Sequence, residues 1–87
     1  MIKYNGVVYT SAGSVEILNN AEALAKEAED LVEVGKVESA IPWGVPTEDY
    51  QSNFHEILNY KIYVSDSIPG FVFVLYEEGN YLVYRDQ

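Results

Sequence analysis

Eighty-seven residues carrying 14 Asp plus Glu against 5 Lys plus Arg give a formal charge of -9, with no cysteine in the chain. That length accommodates one domain, 1–87, and leaves no second lobe to frame a deep cleft. The sign of the charge disfavours direct binding to nucleic acid, which gains affinity by neutralising phosphates with Lys and Arg.

A hydrophobic fraction of 48% with 8 Tyr, 3 Phe and 1 Trp excludes a disordered acidic tail, because such tails lack the apolar surface to offset ordering entropy. The absence of cysteine excludes a disulfide framework and any thiolate metal site, and fits a cytoplasmic protein. The opening Met-Ile-Lys-Tyr-Asn-Gly lacks the build of a secretory signal. No apolar run reaches the roughly 18 residues needed to cross a bilayer, and anionic membrane surfaces repel an acidic chain.

In chain order, Ile2-Lys3-Tyr4 and Val7-Val8-Tyr9-Thr10 flank Asn5-Gly6, the dipeptide suited to a type I′ hairpin turn. Ser11-Ala12-Gly13-Ser14 breaks that pattern, and 15–18 reads equally as a short strand or a first helical turn. Asn19 with Glu22 three residues on resembles a capping box, so a helix is expected over about 20–34, ended by Gly35. On its wheel Ala21, Leu24, Ala25, Ala28, Leu31 and Val32 share one arc, and Glu22, Glu29, Asp30 and Glu33 another.

A short strand is expected over 36–41, followed by a rigid loop in which Pro42 and Pro46 bracket Trp43. Thr47 as N-cap, Glu48 and Asp49 in a first turn, and Tyr50, Phe54, Ile57 and Leu58 at i, i+4, i+7 and i+8 predict a second, shorter helix closed by Asn59. The last third reads as antiparallel sheet: strands over 60–65, 71–77 and 81–85, with Gly79-Asn80 as a type II′ turn. That turn would place Phe71, Phe73 and Leu75 on one face with Leu82 and Tyr84, and Val72, Val74 and Tyr76 on the other with Tyr81, Val83 and Arg85. Both faces are apolar, so either this chain covers both or a second copy buries one. The expected fold is therefore α+β: two acidic amphipathic helices packed on a mainly antiparallel sheet of about four to six strands.

The charge is concentrated. Residues 16–56 hold ten acids and two bases. Carboxylates on a solvent-facing helix lie about 5–6 Å apart at i, i+3 and i+4, a spacing that imitates a row of phosphates; a solubilising helix face is the plainer alternative. Glu22, Glu29, Asp30 and Glu33 are the candidate phosphate mimics, and Trp43, Glu48 and Asp49 a neighbouring contact. A proline-braced Trp makes an interface anchor at small entropic cost, although the sole Trp of a small domain more often packs on its core. The tyrosines suit binding surfaces and strands alike.

Chemistry is weakly signalled. His55 is the only histidine and falls off the expected apolar arc, and Ser52 and Glu56 form no nucleophile–base pair by spacing alone. Glu48-Asp49 and Glu77-Glu78 are adjacent carboxylates that point apart, and no metal-ligating or phosphate-cradling motif is present. No enzymatic activity, catalytic residue, metal or cofactor is expected.

In size, charge and element order, with Ser65-Asp66-Ser67-Ile68-Pro69 before a strand, the chain resembles small acidic phage-encoded inhibitors of bacterial defence or repair nucleases: anti-CRISPR proteins and the uracil-DNA glycosylase inhibitor. The resemblance implies a stoichiometric inhibitor that occupies the basic nucleic-acid groove of a nuclease or other nucleic-acid-binding protein, and it carries over no contact residue. The alternatives are an accessory homo-oligomer joined through a spare apolar sheet face, and an immunity protein against a nuclease toxin.

Overall fold

The structure, a computed structural model, describes residues 1–11 and 14–86. Ala12 and Gly13, in the expected break after the first hairpin, lie outside the described residues. Eight strands form one sheet: β1 Ile2–Tyr4, β2 Val7–Thr10, β3 Val32–Lys36, β4 Ser39–Ala40, β5 Gln51–Ser52, β6 Lys61–Val64, β7 Phe71–Glu77 and β8 Asn80–Asp86. The one α-helix among the described residues, α1, spans Val15–Glu27.

The N-terminal hairpin forms in the expected register, Ile2 opposite Tyr9 and Tyr4 opposite Val7. Its turn uses Asn5 and Gly6 at φ 51° and 79°, the two left-handed positions of a type I′ turn. Strand order is β3-β6-β7-β8-β2-β1-β5-β4. Every neighbouring pair is antiparallel except β4 and β5.

The two ends of that order, β3 and β4, are consecutive in the chain, separated only by Val37 and Glu38. So short a link forces the sheet to curl until its ends meet, giving a half-barrel. Val37 sits at the seam: its N–H donates to the Tyr60 carbonyl (2.9 Å) and its carbonyl accepts from Asn59 N–H (2.8 Å), while Glu38 N–H donates to the Tyr50 carbonyl (2.8 Å). Curling gives β6, β7 and β8 two different apolar environments. Ile62, Val72, Val74 and Tyr84 meet Ile2, Val37 and Ile57 in the concave core, whereas Phe73 and Val83 pack under Ala21 and Ala25 of α1, with Ile68. Both apolar faces of this part of the sheet are thus covered within the chain, the first of the two arrangements that the sequence left open.

The expectation of two acidic helices on a four-to-six-stranded sheet is overturned. The first helix lies earlier, at Val15–Glu27, which resolves the ambiguity of 15–18 in favour of helix. Leu18, Ala21 and Ala25 give it an i, i+3, i+7 stripe against the sheet. Glu22 forms no capping box; Ser14 is the N-cap, without a side-chain bond. The helix stops where Ala28 turns extended, at φ -71° and ψ 132°. Residues 32–34, expected to be the last turn of the first helix, instead belong to β3 and pair with β6, because β-branched Val32 and Val34 and the ladder of backbone bonds to β6, interrupted between Glu33 and Gly35, outweigh a helical arc. Gly35 is consequently a strand residue and no helix cap.

The second expected helix is absent. Tyr50 takes φ 64°, Gln51–Ser52 pair with β1 and β4, and only one 3-10 turn forms, at His55–Ile57. Thr47 does not cap a helix: its N–H donates to the Gln51 Oε1 (2.9 Å), and the Ser52 Oγ takes the Phe54 N–H (3.0 Å). Such local side-chain bonds offer the backbone an alternative to helix.

The C-terminal strands are where expected, but their register differs, because the turn lies one residue earlier and an irregularity precedes it. Glu77 faces Asn80, so Glu78 and Gly79 are the central turn residues, Gly79 at φ 80°, with an irregularity between Leu75 and Glu77. Phe73 therefore faces Val83 and Leu75 faces Tyr81. Moving the turn one residue earlier shifts each partner by two and leaves the faces unchanged, whereas the extra residue at the irregularity between Leu75 and Glu77 shifts the pairing by one more and exchanges them; it is this irregularity that sends Val83 to α1 and Leu82 and Tyr84 to the concave core.

Candidate partner-binding surface

The four carboxylates expected as one helical row, Glu22, Glu29, Asp30 and Glu33, are divided among α1, the segment after it and β3. Glu22, on α1, is used by the fold: its Oε2 accepts from Tyr81 N–H at 2.9 Å and lies 3.9 Å from Lys26 Nζ. Asp30 has left the helix and clamps the connection before β7. Its carboxylate accepts from Ser65 Oγ (2.5 Å), Ser67 N–H (3.0 Å) and Ser67 Oγ (3.0 Å). The Ser65 hydroxyl bond, followed by the bonds from Ser67, holds its pKa below the usual carboxylate value. Glu33 stands on β3, 3.6 Å from Lys61 Nζ. Asp49 Oδ1 accepts from Gly6 N–H at 2.9 Å and so pins the first hairpin turn. Glu29 and Glu48 are exposed.

Trp43 is 80% exposed and does not pack on the core. Its loop is nevertheless held at several points. Ile41 N–H donates to the Ser52 carbonyl (2.9 Å), Asn53 Nδ2 to the Gly44 carbonyl (2.9 Å) and Lys3 Nζ to the Thr47 carbonyl (3.1 Å), and Pro46 is buried. The Asn53 bond brings Trp43 and Val45 beside the segment carrying Phe54 and Leu58, and all four are large apolar side chains at least 40% exposed. Glu48 and Glu56, each close in sequence to one of these segments, are exposed as well.

Beside this patch a cavity of about 490 Å³ opens, lined by Met1, Leu18, Phe54, Leu82, Tyr84 and Glu22 among others. Sequence reasoning did not foresee it, because it arises where α1 crosses β8 beyond the end of β2. Its one advance signal is Leu18, which stands outside the expected helix arc. The Met1 amino group donates to Asn53 Oδ1 at 2.7 Å, and partial burial lowers its pKa. Burial raises the Tyr84 and Tyr81 hydroxyl pKa values, Tyr63 adding to the latter.

The residues weighed for chemistry are not arranged for it. Ser52 is buried with its hydroxyl donating to the Met1 carbonyl at 2.8 Å, and His55 projects into solvent 3.8 Å from Glu56. Among the described residues no group of three or more His, Cys, Asp and Glu could hold a metal ion, and no helix is long and apolar enough to cross a membrane. No family model matches the chain, and no curated protein or solved structure matches it.

Proposed function

We propose that this protein is a stoichiometric binding protein for a basic partner protein, with the contact centred on the Trp43 loop and not on a helix. The observation that carries the reading is the exposure of Trp43 on a loop already ordered by four backbone-directed hydrogen bonds. A large aromatic left in water is unfavourable in a monomer, and ordering its loop in advance lowers the entropy lost on binding. Val45, Phe54 and Leu58 extend the apolar centre, and Glu48 and Glu56 with the net charge of -9 supply an acidic surround that steers a basic surface.

The narrower form of the reading is inhibition of a nuclease or other nucleic-acid-binding enzyme, whose phosphate-binding groove is lined by Lys and Arg. It rests on the charge and on the resemblance to small acidic inhibitors. Glu29 and Glu48 remain available to such a groove, whereas Glu22, Asp30 and Asp49 are committed to internal bonds and Glu33 is paired with Lys61.

The test is retention of bacterial lysate proteins on immobilised protein at low and high salt, wild type against Trp43→Ala and Glu48→Lys. The captured protein is then assayed for nucleic-acid binding with and without its captor. Loss of capture with Trp43→Ala, weakening with salt, and competition with nucleic acid are the expected results. Capture indifferent to Trp43 removes the loop from the interface, and capture without competition removes the nuclease reading.

A further inference from the structure

Asn5 is the only asparagine in the chain that precedes a glycine, and both residues are exposed at the tip of the first hairpin. The pair sets a side-chain amide beside a backbone nitrogen that no side chain shields, and the space where a Gly6 Cβ would stand is open. For the Gly6 nitrogen to reach Asn5 Cγ it must eclipse the Asn5 Cβ, which in an L residue requires ψ near that of the first central residue of a type II′ turn, about -120°. In the type I′ turn, the mirror image of type I, that angle is instead about +30°, and the nitrogen is turned away. Both turns close two-residue hairpins. Asn5 at φ 51° already suits either, so a single flip of the Asn5-Gly6 peptide, taking Gly6 from φ 79° to about -80°, reaches the reactive geometry. Glycine tolerates both signs of φ, and the closing pair of Tyr4 with Val7 can stay in place. What opposes the flip is Asp49: its Oδ1 accepts Gly6 N–H at 2.9 Å, and a flipped peptide points that N–H elsewhere.

We propose that Asn5-Gly6 is a self-modification site, at which Asn5 deamidates through a cyclic imide, and that Asp49 is the latch that holds the turn in its unreactive form. Solvent hydroxide takes the Gly6 amide proton and the nitrogen attacks Asn5 Cγ. A C–N bond forms, the Cγ–Nδ2 bond breaks, and ammonia leaves with a proton drawn from water, which restores the hydroxide. Water then opens the ring at either carbonyl, so one water is consumed for each ammonia released and nothing is oxidised or reduced. Cleavage of the new bond leaves aspartate. Cleavage of the original peptide bond leaves isoaspartate, which adds a methylene to the main chain. Either product carries a carboxylate one residue from the N–H that Asp49 holds, and like charges so close repel. Isoaspartate also lengthens the turn, moving Gly6 N–H off Asp49. The next residue, Tyr50, donates its N–H to the Lys3 carbonyl at 2.7 Å, so the modification loosens the joint between the hairpin and the segment that follows the Trp43 loop. The site follows from the turn and from Asp49 and does not rest on the binding function proposed above.

The test is incubation of the purified protein in warm neutral buffer, with peptide mapping by mass spectrometry to follow the gain of one mass unit at Asn5 and to separate its aspartate and isoaspartate products. The free peptide acetyl-Lys-Tyr-Asn-Gly-Val-amide gives the rate without the latch. The wild type should react more slowly than the peptide, and Asp49→Ala should react at least about fivefold faster than the wild type, the equivalent of losing one exposed hydrogen bond. Asp49→Asn keeps an acceptor and should fall between the two. Lys3→Ala removes the neighbouring bond from Lys3 Nζ to the Thr47 carbonyl while Gly6 N–H stays held, and should remain within about twofold of wild type. Amide spectra of each variant establish that β1 and β2 remain paired. The site is overturned if the mass gain falls on other asparagines and spares Asn5. The latch is overturned if wild type and peptide react equally fast, if Asp49→Ala leaves the rate unchanged, or if Lys3→Ala accelerates it as much, which would mean a general loosening of the joint.

Discussion

The closure of the half-barrel can be tested at Gly35. An added Cβ there would lie 2.7 Å from Cε1 of Tyr50, closer than two carbons can approach. The ring cannot swing away freely. Its hydroxyl donates to the Val34 carbonyl at 3.1 Å, its edge meets Tyr4 at a centroid distance of 5.9 Å and 65°, and its own N–H is bound to the Lys3 carbonyl at 2.7 Å. Gly35→Ala must therefore overpack the site or expel the ring, losing a hydrogen bond of about 1 kcal/mol and an aromatic contact of similar size. We expect destabilisation of about 2 kcal/mol, which for a domain of this size lowers Tm by roughly 10 °C. Chemical denaturation of the wild type, both single variants and the Gly35→Ala/Tyr50→Ala double variant measures it. Once Tyr50 is truncated the clash is gone, so Gly35→Ala should cost much less in that background, with a coupling of about 1–2 kcal/mol. The backbone cost of alanine at φ 156° is common to both backgrounds and cancels. Equal costs in the two backgrounds would refute the argument that Tyr50 against Gly35 sets the seam.

Ser52→Ala removes the acceptor of Phe54 N–H inside a fully buried site and should cost about 1–3 kcal/mol in denaturant unfolding, whereas Trp43→Ala should stay within about 0.5 kcal/mol of wild type. Phe73→Ala, at the centre of the contact between α1 and the sheet, should cost about 3–5 kcal/mol and loosen α1, seen as faster hydrogen exchange along Val15–Glu27. Asp30 has a folded pKa below its unfolded one, so it binds fewer protons when folded: its contribution is present above the unfolded pKa and lost as pH falls through the folded value. Asp30→Asn should accordingly flatten the acid side of the stability curve. Tyr84 behaves in the opposite sense, because burial raises its pKa: its contribution is present below the unfolded tyrosine pKa and is lost as pH rises towards the folded one, which phenolate absorbance and alkaline unfolding can follow together.

Local signals proved reliable where a structural element could be recognised from its immediate neighbours. Asn5-Gly6 specified its hairpin through backbone angles that few other residues tolerate, and 61–64, 71–77 and 80–86 were legible as strands from β-branched and aromatic runs. The same kind of signal failed at 32–34, with Gly35 as the supposed cap, and at 47–58. There a helical arrangement of apolar residues competed with ladder bonds to β6, β1 and β4, and no count of apolar positions contains the energy of those bonds. For the candidate surface, the proline bracket marked Trp43 as loop-bound, but its exposure depended on Asn53, Lys3 and Gln51 anchoring the loop from elsewhere.

Composition settled the acidity, and the turn and strand chemistry settled most of the sheet. Whether the carboxylates act together was a different matter. Glu22 and Asp30 looked like members of one solvent-facing row and Asp49 like part of a neighbouring contact, yet each bonds a backbone N–H that is distant in sequence: Tyr81, Ser67 and Gly6. Their roles depend on how the sheet curls and on the irregularity between Leu75 and Glu77 that sets the register of β8. Those properties come from a two-residue link between opposite sheet edges and from pairings across many residues, so they exist only once the chain has closed on itself.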